Sequence, residues 1–97
     1  MSKYLQSLIS QGEHAQLDFK FSVNDSKKIA RSIAAFSNAN GGKLLIGVKD
    51  NGKIAGINTD EEYYMIESAA QLYCKPPVEF IANTHVVWGK TVLEISI

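Results

Sequence analysis

The sequence predicts an α+β domain, with a mostly antiparallel sheet of about five strands and three helices. Three observations carry that expectation. Apolar residues recur at helical spacing in three segments, and they alternate or run continuously in the shorter segments between. Asn51-Gly52 stands between two apolar runs, which is the strongest short-range signal for a hairpin. A chain of 97 residues has the size of one domain, so residues 1–97 are read as a single unit.

Leu5, Leu8 and Ile9 give residues 2–10 the spacing of a short helix, with Gly12 as its stop. Leu17, Phe19 and Phe21 then alternate with Asp18, Lys20 and Ser22, the period of a strand with one apolar and one polar face. Asp18 and Lys20 therefore point the same way. Asn24 or Asp25 can cap the second helix, whose Ile29, Ile33 and Phe36 form one apolar stripe with Ala30 and Ala34 beside it. Lys27, Lys28, Arg31 and Ser32 are left for the outer surface. "NANGG" ends that helix with residues that tolerate positive φ, and "KLLIGV" follows as a central strand. The turn "DNGK" predicts that residues 43–49 and 53–57 pair antiparallel. Thr59 and Glu62 have capping-box spacing ahead of a third helix, with Ile66, Ala69, Ala70 and Tyr73 inward and Pro76-Pro77 as the stop. Two more strands, residues 78–87 and 91–97, turn at "WGKT". The strand-like end lacks a polar tail, which predicts a fragment with a further domain after residue 97.

Composition narrows the classes. Hydrophobic residues make up 45% and charged residues 21%, the balance of a folded globular chain and not of a disordered one. No apolar stretch approaches the roughly 18 residues of a membrane span, and residues 1–11 lack the pattern of a signal peptide, so the expectation is a cytoplasmic protein with no membrane partner. The lone Cys74 excludes an internal disulfide and any multi-cysteine metal site, leaving helix packing as its role. Net charge is zero, but its distribution is uneven. Residues 1–53 hold eight Lys/Arg against four acids, and residues 54–97 hold two against six. That asymmetry fits an anionic partner on one side and a protein-facing surface on the other, and it also fits ordinary scatter of surface charge.

"GEHAQLDFKFS", "IARSIAAFSNANGGKLLIGVKDNGKIAGI" and the later "PP" resemble the AlbA-like domain of the Schlafen family, over roughly residues 10–82. Bacterial proteins carry that domain at the N-terminus of transcriptional regulators, so the resemblance implies a nucleic-acid-binding module. ATP hydrolysis is not expected, because the glycine-rich loop ending in Gly-Lys-Ser/Thr is absent and "GGK" at 41–43 lacks its spacing and hydroxyl. In Schlafen relatives that cleave RNA, the similar segment has two glutamates five apart before a Phe-Lys, and a further acid after the apolar strand. The matching positions are Glu13, Asp18 and Asp50, with Lys20 as the lysine; the second glutamate is an aspartate in this chain. The resemblance thus implies a carboxylate set for Mg²⁺ or Mn²⁺, which would polarise a phosphodiester and activate water. The same residues also have plainer roles: Asp18 and Lys20 on a polar strand face, Glu13 in solvent, Asp50 at the hairpin corner.

The candidates for phosphate contact are Lys20, Lys27, Lys28, Arg31, Lys43 and Lys49. Lys27 and Arg31 are four apart and share a helix face, as neighbouring phosphate contacts require and as ordinary solvated faces also show. His14 and His85 are isolated and read as surface or packing residues. Tyr63, Tyr64 and Tyr73 have spacings that fit helix packing better than base stacking. Trp88 sits at a turn, and Gly47 within an apolar strand marks close packing. Three functions follow in order: a nucleic-acid-binding module without a cofactor, a divalent-metal-dependent nuclease using Glu13, Asp18 and Asp50, and a protein-interaction or homodimerisation module.

Overall fold

In the computed structural model, which describes residues 1–97, the chain forms α1 (Lys3–Gln11), β1 (Leu17–Lys20), α2 (Ser26–Asn38), β2 (Lys43–Ile46), α3 (Thr59–Leu72), β3 (Ile81–Val87) and β4 (Lys90–Ser96). The strand order is β1-β2-β4-β3. β1 pairs parallel with β2, while β2 with β4 and β4 with β3 pair antiparallel. The sheet is thus mixed and four-stranded, against the mostly antiparallel sheet of five expected from sequence.

The missing strand is the return arm after Asn51-Gly52. Its turn does form: the Gly52 N–H donates to the Lys49 carbonyl at 2.8 Å and the Lys49 N–H to the Lys53 carbonyl at 2.9 Å. Beyond the single bridge Val48↔Ile54 the arm keeps only the bonds of its Ala55 and Gly56 N–H groups to the Gly47 carbonyl, at 2.8 and 3.0 Å, and it forms no strand. β2 has only two edges, and β1 and β4 hold both, so the arm has no ladder to extend. The parallel pair has an equally simple cause. Residues 21–42 contain α2, and parallel neighbours need a crossover of that kind.

Strand alternation sorts the core into two layers. Leu17, Phe19, Leu45, Val87 and Val92 pack against Leu5 and Leu8 of α1. Leu44, Ile46, Leu93 and Ile95 face Ile29, Ile33 and Phe36 of α2 and Ile66, Ala69 and Ala70 of α3. "KLLIGV" reads as continuous apolar sequence because both faces of β2 are covered.

Helix ends follow the expected chemistry at two of the three starts. The Ser2 hydroxyl accepts from the Leu5 N–H at 3.1 Å, and the Asp25 carboxylate accepts from the Lys27 and Lys28 N–H groups at 2.9 and 3.4 Å. The capping box of α3 does not form. Thr59 is already helical, Asn58 at the cap makes no side-chain bond, and Glu62 accepts instead from the Val23 N–H of the loop before α2. Tyr73, expected inward, is 50% exposed, and Tyr63 and Tyr64 are 38% and 68% exposed. Small Ala69 and Ala70 let α3 pack on a narrow stripe, which leaves these rings outside. Cys74 is buried as expected, with its thiol 3.5 Å from the Ala30 carbonyl. No helix is long and apolar enough to cross a membrane.

Gly41 closes the sheet onto the C-terminal end. Its φ is +83°, and a Cβ there would stand 2.6 Å from the Ile97 carbonyl oxygen. Gly41→Ala is expected to destabilise the domain by at least about 1 kcal/mol, which thermal unfolding would register as a fall of at least about 4 °C in Tm.

Candidate nucleic-acid interface

Leu17 and Phe19 are drawn toward α1, so Asp18 and Lys20 project on the opposite face, where α2 lies. The Lys20 ammonium and the Asp18 carboxylate meet at 3.0 Å. Two clefts run between β1 and α2. Glu13, His14 and Asp18 line one of about 360 Å³ with Ser32 and Phe36. Lys20 lines another of about 110 Å³ with Ser22, Asn24, Asp25 and Lys28.

The outer edge of β1 is covered by the chain just before it. His14 and Leu17 exchange two backbone hydrogen bonds, at 2.9 and 3.1 Å, and the Glu13 carboxylate accepts from the Phe19 N–H at 3.0 Å. Both contacts satisfy groups that an edge strand otherwise exposes. The Glu13 carboxyl is held above the ordinary carboxylate value, chiefly by its side-chain hydrogen bond with Asp18. The Phe19 amide opposes that rise, while partial burial and the negative charges of Asp18 and Asp50 add to it. Of the three acids picked out from sequence, Glu13 thus feels the charges of the other two.

They do not make a metal centre as placed. No group of three His, Cys, Asp or Glu side chains is gathered to hold an ion. Asp18 is occupied by Lys20 and Glu13 by the Phe19 amide, whereas Mg²⁺ or Mn²⁺ needs several converging oxygens.

The basic residues divide into two groups. Lys27, Lys28 and Arg31 are exposed on α2, and Lys49 is exposed beyond β2. The Lys27 ammonium lies 6.0 Å from the Tyr73 ring centroid, and that of Lys49 lies 5.7 Å from the exposed Phe21 ring. Lys20 and Lys28 share the small cleft between the end of β1 and the first turn of α2, while Lys27 reaches toward Tyr73 past the end of α3. Lys43 belongs to the other face of the sheet. Its ammonium sits 2.9 Å from Glu94 Oε2 and donates to Ser96 Oγ at 2.7 Å.

Glu94 escaped the sequence reading. It is 1% exposed, the one buried charged residue of the chain, and it also accepts a hydrogen bond from the Tyr4 hydroxyl and pairs with His85 Nε2 at 2.9 Å. Burial pushes its pKa up, but the hydrogen bonds from Tyr4, His85 and Lys43, together with the Lys43 charge, outweigh burial and hold it below the ordinary value. The only signal in the sequence was an acid inside the apolar run "TVLEISI". Such a residue must find partners, because an unpaired buried charge is prohibitive.

The fold and this site define a small α+β module with a charged groove along a covered strand edge. The chain belongs to the family described as Schlafen, AlbA_2, whose model matches residues 13–97. The match begins at Glu13 and takes in every candidate residue of the groove, while α1 precedes it. Among solved structures, the DIP2311 protein from Corynebacterium diphtheriae is similar in fold, with a TM-score of 0.62 at 20% identity. The alignment covers 96% of this chain and 24% of that one, so this chain spans about a quarter of its relative's length. Among curated proteins, none matches.

Two titrations test this electrostatic description. Asp18→Asn is expected to bring the Glu13 pKa down toward the ordinary carboxylate value, read by NMR titration of the side-chain carboxyl; an unmoved midpoint would contradict the contact. Because the folded-state pKa of Glu94 is depressed, its network stabilises the fold above the ordinary carboxylate range, and that contribution is lost as pH falls through the depressed value. Glu94→Gln is expected to cost about 1–3 kcal/mol at neutral pH in urea unfolding, and to lose part of the acid dependence of stability that the wild type shows.

Proposed function

We propose that this domain binds nucleic acid through its phosphate backbone, as the nucleic-acid-binding module of a transcriptional regulator. The observation that carries this reading is the cleft between the end of β1 and the start of α2 that Lys20 and Lys28 share, with Lys27, Arg31 and Lys49 exposed on α2 and just beyond β2. Separate segments that bring cations to one end of a neutral protein create a local positive field, and such fields draw polyanions. Family membership supports the reading. The exposed Phe21 ring beside Lys49 offers a stacking surface for an unpaired base. Lys43 is left out of the contact set, because Glu94 and Ser96 already engage its ammonium.

A salt titration with fluorescent single- and double-stranded DNA and RNA tests the proposal. Replacing Lys27, Lys28 and Arg31 together by Ala is expected to weaken binding across unrelated sequences and to flatten the slope of log affinity against log salt by up to about 3. Stability should change by no more than about 0.5 kcal/mol per site, since all three lie off the buried stripe of α2. Unchanged affinity and slope would remove α2 from the interface. Cleavage of the oligonucleotides on adding Mn²⁺ would replace a binding role with a hydrolytic one.

A further inference from the structure

The opposite electrostatic character appears on α3. Tyr63, Tyr64, Glu67 and Leu72 from the helix and Glu79 and Phe80 from the segment after it line an open cleft of about 520 Å³. Its wall has a defined shape: the Tyr63 and Phe80 rings meet edge to face, with centroids 6.0 Å apart and planes at 60°. Tyr64 and Leu72 are each about two-thirds exposed, so one helix presents two large apolar side chains to solvent.

Charge decides what this surface accepts. No Lys, Arg or His lines the cleft. The ion pairs of the molecule are Lys20 with Asp18, and Lys43 and His85 with Glu94, so neither Glu67 nor Glu79 is paired. α3 carries four acids and no basic residue. Aromatic faces present negative π-density, and two uncompensated carboxylates stand beside them, so cation–π attraction and ion pairing act in the same direction. A guanidinium answers both demands, because its plane stacks on a ring while its fork of N–H groups meets carboxylates.

We infer that this cleft docks an arginine-bearing segment of a partner protein. The guanidinium lies against the Tyr63 and Phe80 wall within reach of Glu67 and Glu79, and apolar neighbours on the same segment cover Tyr64 and Leu72. A phosphate backbone is repelled here, so this surface and the basic groove serve different partners. The inference does not rest on the nucleic-acid reading.

The probe is a fluorescein-labelled nine-residue peptide alternating arginine and leucine, followed by anisotropy against the full chain. Its twin carries citrulline at each arginine, which keeps the shape and removes the charge. Binding of the arginine peptide is expected to exceed that of the citrulline peptide at least tenfold. The double variant Glu67→Gln with Glu79→Gln should lose at least tenfold, and Tyr64→Ala several-fold. All three positions are exposed, so the variants should unfold at wild-type temperatures, and their oligonucleotide affinity should not fall. Equal binding of the two peptides, unchanged affinity in the double variant, or no binding of the arginine peptide at millimolar concentration would overturn the assignment. So would displacement of the peptide by free spermidine at equal concentration, which would give the cleft to a small polycation.

Discussion

Because β1 and β2 run parallel, the chain between them must travel back along the sheet before it can pair, and α2 is the element that does so. Much else follows from that one return. α2 is brought against the polar face of β1, so Asp18 shares a cleft with Ser32 and Lys20 shares one with Lys28. Its stripe of Ile29, Ile33 and Phe36 covers Leu44 and Ile46, which turns Lys27, Lys28 and Arg31 outward. With β1 on one side, β2 has a single edge left, and β4 takes it in place of the nearer segment after Asn51-Gly52.

The other face of the sheet is organised by a charge. A carboxylate buried as Glu94 is carries a desolvation penalty of several kcal/mol unless it is well partnered. Its partners come from α1 through Tyr4, β2 through Lys43 and β3 through His85. Removing any one leaves the others with an unmet group, so the network ties three elements to one relative placement. It also takes Lys43 out of the pool of free cations, which separates the structural lysine of the chain from those facing solvent around α2.

Local features were legible in the sequence to the extent that local physics decides them. The apolar stripe of α2, its Asp25 cap, the shared face of Asp18 and Lys20, the turn at Asn51-Gly52 and the β3–β4 hairpin all depend on neighbours within a few residues. What escaped depends on partners far along the chain. Periodicity tells which side of a strand is apolar but not which strand lies beside it, so the parallel pair and the short reach of the return arm's pairing were not visible. Glu62 has the right spacing for a capping box, yet the Val23 amide 39 residues away competes for its carboxylate and wins. The tyrosines of α3 fit a helix-packing pattern, but alanines fill the contact and leave the rings outside. Glu13, Asp18 and Asp50 stand out in the sequence as a set, and the structure adds what no spacing shows, that the Phe19 amide engages one oxygen of Glu13 and Lys20 one oxygen of Asp18.

The central claim is that the β1 and α2 side of the domain, and no other, meets nucleic acid. Amide chemical-shift mapping of the ¹⁵N-labelled chain, titrated with a short duplex and a single strand at low salt, addresses it most directly. The account requires the shifts to concentrate between Lys20 and Ser32 and at Lys49, and to fade together as salt is raised. Shifts concentrated on α3 and β3, or none at concentrations where the oligonucleotide is bound, would contradict it.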